Sequence, residues 1–135
     1  MILTRKQRTN VFRKQIEIEW TEHFWKFIEN NLDKPWDWNS LSEHPNITFD
    51  IVQSYPDKPW KWGMYGLSEN PNITFDIVLA HPDKPWNWIS LSRNPNITFD
   101  IVQSYPEQPW EWGMYGLSEN PNITFDIILA HPDKP

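Results

Sequence analysis

The sequence predicts an all-α fold: a short-helix solenoid of two-helix units, alternately 24 and 26 residues long, behind an N-terminal capping helix. Two observations lead to this prediction. Trp36, Trp60, Trp86 and Trp110 each follow a proline and are spaced 24, 26 and 24 residues apart, and a repeat of that length is typical of stacked supersecondary units. The chain also holds 13 Pro but only four Gly, which favours short helices bounded by proline over strands joined by tight turns.

Composition excludes several classes of protein. The 135 residues include no Cys, which excludes a disulfide scaffold, a Cys-ligated zinc site and a thiol nucleophile. The longest apolar run falls well short of the roughly 20 residues that a membrane helix needs. The first six residues carry charge where a signal peptide has its apolar segment. We therefore expect an intracellular, non-secreted protein without a membrane partner.

Two types of unit alternate along the chain, and the long type carries two more residues than the short type. The four predicted repeats, called repeats 1 to 4, are residues 33–56, 57–82, 83–106 and 107–132. Repeats 3 and 4 reproduce repeats 1 and 2 with eight differences in 50 positions. Five of these differences alter charge or exchange like charges, such as Glu43 against Arg93, and are expected on the solvent side. Residues 133–135 begin a fifth unit.

The N-terminal third departs from the repeat. Residues 1–10 are predicted to be a flexible basic arm, and residues 11–32 a capping helix that merges into a degenerate half-repeat. When Trp36 is aligned with Trp60, Trp25 falls over Phe49. Terminal units of a solenoid are normally atypical in this way.

The second half of each repeat predicts one helix. In repeat 2, Thr74 can cap it, and Asp76 then lies in the first turn, where the helix dipole favours a carboxylate. Phe75, Val78 and Leu79 follow at helical spacing. The alternation in I-T-F-D-I also fits a strand, but the low glycine content favours the helix.

The first half of each repeat carries the W-x-W segment. A helix is predicted to begin at D-K-P-W, with Pro85 near its first position and with Trp86 and Trp88 on opposite faces. In the long repeats, residues 63–66 (G-M-Y-G) form either a weakened part of that helix or a bulging loop. The tryptophans are interpreted as core residues, with a stacking surface for a ligand as the alternative.

The units D-K-P-W-x-W and L-S-E-N-P-N-I-T-F-D-I-V resemble the tandem-repeat proteins that giant DNA viruses encode in many copies. The resemblance covers roughly residues 21–135. It implies short helical repeats and a viral source, and it implies no activity, catalytic residue or cofactor.

No motif for catalysis or cofactor binding is present: the chain lacks a Gly-rich phosphate loop, G-x-S-x-G and H-E-x-x-H. Each N-I-T matches a glycosylation acceptor, but is interpreted as a turn and helix cap. His81 and His131 lie two units apart, about 20 Å at ordinary helix spacing, so they cannot share a metal. Asp50 and Asp76 occupy the same first-turn position, where dipole compensation explains them. The sequence thus predicts a protein that is not an enzyme and binds no cofactor or metal.

Charge is unevenly distributed. Residues 1–14 carry a charge of +5 and the remainder carries −11, which together give −6. Since phosphate contacts need clustered basic residues, no nucleic-acid partner is expected. The basic arm is interpreted as a solvated tail, with a nuclear signal or a weak electrostatic contact as the alternatives.

The leading functional hypothesis is a non-catalytic scaffold that binds another protein through the solenoid surface. Candidate binding residues lie at the ends of the second helices and in the W-x-W segments; they are Tyr55, Trp62, Tyr65, His81, Tyr105, Trp112, Tyr115 and His131. The alternative interpretation is that these residues tune packing between units. The rival function is a structural protein that associates head to tail through its C-terminal repeat.

Overall fold

The computed structural model describes residues 4–133. The first three residues of the predicted arm and the last two of the fifth-unit stub lie outside this range. Within it, the chain is helical and contains no strand, as the sequence predicts. The α-helices are α1 (Arg5–Glu29), α2 (Trp38–Glu43), α3 (Phe49–Ser54), α4 (Phe75–Ala80), α5 (Trp88–Arg93), α6 (Phe99–Ser104) and α7 (Phe125–Ala130). Two 3₁₀ turns, η1 (Leu67–Glu69) and η2 (Leu117–Glu119), complete the elements.

The chain divides into two compact units between residues 36 and 37, four residues inside the first predicted repeat. The first unit contains α1, which begins with a capping box: the Gln7 amide donates to Thr4 Oγ1, and the Thr4 amide donates to the Gln7 side chain. Residues 5–10, predicted as a flexible arm, are therefore helical. This pair of bonds, which was not foreseen, satisfies two of the amides that a helix start leaves open.

The short repeats contain two α-helices each, but the first begins later than predicted. Asp37 caps α2 by accepting from the Asn39 amide at 3.0 Å, and Asn87 caps α5 by accepting from the Ser90 amide at 2.8 Å. The helices thus begin at the second tryptophan of W-x-W, and Pro85 lies before the helix. The side-chain cap outweighs the preference of proline for the first helical position.

The long repeats contain one α-helix and one 3₁₀ turn, so the prediction of two helices per unit is wrong for them. Residues 63–66 form the loop that was the alternative interpretation. The Leu67 amide donates to the Lys61 carbonyl at 2.7 Å, which folds the chain back over the loop. A Cβ atom on Gly66 would lie 2.2 Å from that carbonyl oxygen, so only glycine fits there.

The second helix of each repeat begins after a threonine, as predicted. The hydroxyls of Thr48, Thr98 and Thr124 accept from the amide three residues on, whereas Thr74 holds the cap position without that bond. Phe75 and Val78 are buried. Leu79 is exposed, so the apolar stripe of α4 is narrower than predicted.

Buried asparagines connect successive repeats. Asn70 is fully buried, and its Nδ2 donates to the carbonyls of Ser42, His44 and Ile47 in the preceding repeat, at 2.9, 3.1 and 3.1 Å. Equivalent bonds to the preceding repeat are made by Asn94 and Asn120. Each buried amide therefore finds the carbonyl partners that burial requires.

The asparagine of N-I-T makes a second set of these bonds. Asn72 Nδ2 donates to the carbonyls of Pro45 and Ile47, at 2.6 and 2.9 Å. The same pair of bonds recurs at Asn96 and Asn122. The nitrogen that would carry a glycan is used here to join repeats.

Serine hydroxyls add a third connection. Ser42 Oγ donates to the Trp38 carbonyl at 2.6 Å and accepts from the Lys61 amide of the next repeat at 2.9 Å. The equivalent hydroxyls of Ser68 and Ser92 accept from the next repeat in the same way. Successive repeats are therefore held in one register by side-chain-to-backbone bonds.

Candidate functional site

A groove lies where repeat 1 meets repeats 2 and 3. Phe49 of α3 packs against His81, with ring centroids 4.8 Å apart, and against Trp62 at 6.4 Å. Trp62 in turn meets Trp86 edge to face at 5.0 Å. The W-x-W segment of repeat 2 and the end of α4 thus bring Trp62 and His81, both predicted binding residues, to one place.

The groove encloses about 520 Å³, which lies within the range of ordinary ligand pockets. Its lining combines aromatic, aliphatic and charged side chains, and consists of Phe49, Val52, Gln53, Pro56, Lys58, Trp60, Trp62, His81, Asp83, Lys84 and Pro85. Such a lining can take an apolar group in its aromatic part and an anion beside its ammonium groups.

The charges of the groove are net positive in a chain of net charge −6. Lys84 Nζ lies 5.7 Å from the Trp62 ring centroid, within cation–π range, and 3.0 Å from an Asp83 carboxylate oxygen. This bond with Lys84 lowers the pKa of Asp83, outweighing the small effect of burial. Lys58 adds a second ammonium group, so the groove is lined by two cationic side chains and one carboxylate.

Gln53 and His81 form the polar edge of the groove. Gln53 Nε2 lies 3.4 Å from His81 Nε2, so the amide donates to the ring when that ring nitrogen carries no proton. Position 53 is glutamine in the short repeats, and its equivalent in repeat 2 is Leu79. The polar edge is therefore specific to the short-to-long junction.

A second copy of the groove follows repeat 3. Phe99 packs against His131 at 4.8 Å, and the cavity there measures about 340 Å³. Trp112 and His131, also predicted binding residues, line it together. Gln108 holds the position of Lys58 in this copy, so it lacks that ammonium group.

The junction between repeats 2 and 3 is built differently. Phe75 meets Tyr105 at 4.8 Å and Trp110 at 5.6 Å. Tyr105 holds the position that His81 has in the groove. Tyr55 is half-buried, and its carbonyl accepts from Trp60 Nε1 at 2.8 Å. The Tyr105 ring therefore packs against the preceding repeat through Phe75, in line with the alternative interpretation of this residue.

Tyr65 and Tyr115 lie outside both grooves, in the exposed loops before η1 and η2. Tyr65 has a φ of 55°, in the left-handed region, and Lys61 Nζ lies 5.9 Å from its ring centroid. The eight predicted residues are thus not one surface: the structure groups Trp62 with His81 and Trp112 with His131.

Among the residues that line the groove, sequence reasoning missed Phe49, Lys58 and Lys84. The difference between Gln53 and Leu79 was visible as a difference between unit types. Lys58 and Lys84 could not be recognised as groove residues, because D-K-P begins each of the first three repeats and is typical of a turn before a helix.

A second charged cluster joins repeats 2, 3 and 4. Arg93 donates to Glu69 Oε1 at 2.7 Å and to Glu119 Oε2 at 3.3 Å. Arg93 is largely covered, which corrects its expected place on the solvent side. Burial raises the pKa of Glu69, but hydrogen bonds from the Tyr65 amide and the Ser90 hydroxyl, together with Arg93, lower it to below its ordinary value.

Among residues 4–133, no helix combines the length and apolar character needed to cross a bilayer. In the same part of the chain, no cluster of three or more His, Asp or Glu side chains is placed to hold a metal ion. No protein-family model, curated protein or solved structure matches the chain.

Proposed function

We propose that the chain is a non-catalytic helical-repeat scaffold, a solenoid of alternating 24- and 26-residue units, that binds another protein. The asparagine and serine bonds that recur between successive repeats support the solenoid. An array held together in this way offers extended surface, which is the usual use of repeat proteins. The resemblance to giant-virus repeats supports a location in the host cytoplasm or nucleus, or in the virion.

The observation that carries the binding function is the groove of about 520 Å³ around Trp62 and His81. Tryptophan is favoured as a binding anchor, and a groove with two ammonium groups favours an acidic partner. The partner that fits is an extended acidic segment that places one apolar side chain between Phe49 and Trp62 and a carboxylate beside Lys58 and Lys84.

The test selects binding peptides from a random displayed library on the intact protein and measures their affinity for matched variants. Lys58→Gln introduces the residue that the second groove has at this position. His81→Tyr introduces the residue found at the junction between repeats 2 and 3. Both residues therefore already occur at the equivalent position of another repeat. We expect each to weaken binding at least fivefold.

Lys34→Gln is the matched control, because Lys34 is exposed and occupies in repeat 1 the position that Lys58 has in repeat 2. It removes the same charge outside the groove, and binding is expected to persist. Selected peptides that bind Lys58→Gln and His81→Tyr as tightly as the original protein would show that the groove is not the binding site.

A structural, self-associating protein is the second candidate, favoured by the exposed apolar residues of α7 (Phe125, Ile128 and Leu129). In that case molar mass from light scattering rises with concentration, through head-to-tail contacts at the C-terminal repeat. A binding scaffold of the first kind keeps the mass of a monomer.

A further inference from the structure

The groove around Trp62 and His81, called the first groove, and its copy around Trp112 and His131, called the second groove, have the same aromatic frame. In each of them, the phenylalanine and histidine ring centroids lie 4.8 Å apart, and the two ring planes are inclined by 51°. The chain therefore builds one kind of apolar slot twice, at the two junctions where a long repeat follows a short one.

The base of the two grooves is also the same. In each groove it consists of a buried valine and a buried tryptophan whose indole N–H donates to a backbone carbonyl at 2.8 Å. These residues are Val52 and Trp60 in the first groove, and Val102 and Trp110 in the second. Because the base is already packed and hydrogen-bonded, a ligand does not have to order it, which lowers the cost of binding.

Helix α4 sets the distance between the grooves, which belong to one compact unit of the chain. His81 follows the last residue of α4 and lines the first groove, whereas Phe75 at its start contacts Trp110 of the second groove, with ring centroids 5.6 Å apart. Six residues of helix advance about 9 Å. Together with the side chains at each end, this places the grooves on the order of 15–20 Å apart, as do two steps of ordinary helix packing.

That distance matches a short extended peptide. An extended segment advances about 3.3 Å per residue, so roughly six residues cover about 20 Å. Because its side chains alternate between two sides, residues i and i+6 point the same way. Residues i and i+3 point apart and are separated by only about 10 Å. An apolar residue that recurs after six positions can therefore enter both grooves.

Charge distinguishes the two grooves. Lys58 lines the first groove together with Lys84 and Asp83. Gln108 holds the position of Lys58 in repeat 4, and Asp133 lines the second groove. A carboxylate beside the bound apolar residue is thus favoured at the first groove, while an uncharged neighbour suits the second.

We propose that the two grooves bind one extended segment of a partner protein at the same time, through two apolar residues six positions apart, called anchors. Only the anchor in the first groove has an acidic neighbour. This inference rests on the proposed function and deepens it, because it gives the binding motif of the partner. Once the first anchor is bound, the second is held near its groove at an effective concentration of about millimolar, so a weak second contact strengthens binding.

The test starts from a one-anchor peptide of the displayed library, one that His81→Tyr weakens and His131→Tyr does not. Extended versions repeat its anchor six positions later or earlier in the peptide, or three positions later or earlier. We expect one of the six-position versions to bind the intact protein at least tenfold more tightly than the one-anchor peptide by fluorescence anisotropy. The three-position versions should gain less than twofold.

His131→Tyr is the decisive variant, because it gives the second groove the residue found at the junction between repeats 2 and 3. It is expected to remove the tenfold gain and to leave the one-anchor peptide unaffected. Tyr115→His is the matched control. It exchanges the same two ring types in the same repeat, at a residue that is 63% exposed outside both grooves, so the gain should persist.

The charge preference has a test of its own. Gln108→Lys gives repeat 4 the lysine that repeat 2 has at this position. The variant should bind a two-anchor peptide with glutamate beside the second anchor at least threefold more tightly than the same peptide with glutamine there. The original protein should show no such preference. Equal affinities of the variant for the two peptides would overturn the assigned difference between the grooves.

The remaining outcomes separate the two-anchor motif from the scaffold function. If one-anchor peptides bind through the first groove and neither six-position version gains affinity, the inference is wrong and the proposed function stands. A gain that survives His131→Tyr, or a sedimenting complex of two chains on one peptide, would also overturn the inference. If no displayed peptide binds the first groove, the proposed function fails and the inference fails with it.

Discussion

Asn70 illustrates how a single side chain can determine the spacing of two repeats. Its Nδ2 reaches three carbonyls of the preceding repeat, while its Oδ1 accepts from the Asn72 amide at 2.8 Å. A buried amide is costly unless it is hydrogen-bonded, and here both ends are satisfied. The spacing of the two repeats thus depends on an amide at position 70, which no other group of that size can replace.

Asn70→Asp keeps the size and the acceptor but turns the donor into an oxygen that faces three carbonyls. We expect a loss of about 3 kcal/mol or more in the free energy of unfolding, because a buried group is left without its partners. Urea denaturation followed by tryptophan fluorescence measures it.

The matched control is Asn87→Asp. Asn87 caps α5, and Asp37 makes the equivalent cap on α2, so this change is expected to be nearly neutral. Equal losses for the two variants would show that Asn70 contributes nothing beyond an ordinary surface amide.

His44 occupies the equivalent position in repeat 1. Its Nδ1 accepts from the Asn46 amide at 3.1 Å, in place of the asparagine oxygen. Burial lowers the pKa of His44, because the charged ring is less well solvated there. Because Nδ1 accepts this bond, Nε2 carries the proton of the neutral ring, and protonation at Nδ1 removes the lone pair that accepts.

A lowered pKa in the folded state means that stability from His44 is complete above its unfolded pKa of about 6.5 and is lost as pH falls. We expect His44→Asn, the residue of the other repeats, to reduce the loss of stability between pH 7.5 and pH 5.5. Urea midpoints of both proteins at the two pH values test this; parallel midpoints would contradict it.

These residue roles were only partly predictable. The N-P-N segment reads as turn chemistry, and the turn prediction is consistent with the Asx bond between Asn70 and the Asn72 amide. The inter-repeat bonds of Asn70, however, join residues 23 to 28 positions apart. Local pattern carries no information on which carbonyls a repeat will present at that distance.

At the scale of the element, the W-x-W segment shows why two repeat types differ. In the short repeats, an Asp or Asn follows the first tryptophan and caps a helix. In the long repeats, Lys61 or Glu111 follows instead, and residues 63–66 contain two glycines. The helix is therefore replaced by a loop and a 3₁₀ turn. The two glycines favoured a loop in the sequence. The start of the helix in the short repeats was predicted wrongly, because the side-chain cap after the first tryptophan outweighs the preference of proline for the first helical position.

Gly66→Ala is predicted to disrupt this loop. The new Cβ would approach the Lys61 carbonyl oxygen to 2.2 Å, and that backbone cannot move without breaking the Leu67 bond. A loss of about 2 kcal/mol or more is expected, as for other overpacked sites. Thermal and urea denaturation measure it.

Gly63→Ala is the control within the same loop, since nothing lies within 4 Å of its Cβ position. It should be neutral or slightly stabilising, because alanine restricts the unfolded chain. If both alanine variants lose the same stability, the close approach of Lys61 is not the reason for Gly66.

The candidate site was also predicted in part. His81 was predicted because its position differs between the unit types, and Trp62 because tryptophan is a favoured binding anchor; the groove contains both. Lys58 and Lys84 were missed because their proximity arises from stacking one repeat on the next. Which side chains share a groove is a property of the repeat-to-repeat register, which the sequence of one unit does not contain.

At the scale of the whole molecule, a repeat's stability depends on its neighbours as well as on its sequence. α4 and α7 differ only at Val78 and Ile128. α4 has following repeats packed on its phenylalanine, whereas α7 exposes Phe125. Opening α7 therefore exposes little further apolar surface, and its opening free energy should be low.

We therefore expect the backbone amide of Ile128 to exchange with solvent at least tenfold faster than that of Val78. Both amides donate to a threonine carbonyl four residues back, at 3.2 and 3.3 Å, and nearly identical sequences give nearly equal intrinsic exchange rates. Hydrogen exchange followed by NMR at single residues measures the ratio. α3 and α6, which share the sequence F-D-I-V-Q-S and are each followed by a long repeat, are the internal control and should differ less. If Ile128 were as protected as Val78, neighbouring repeats would not be the source of the protection of α4.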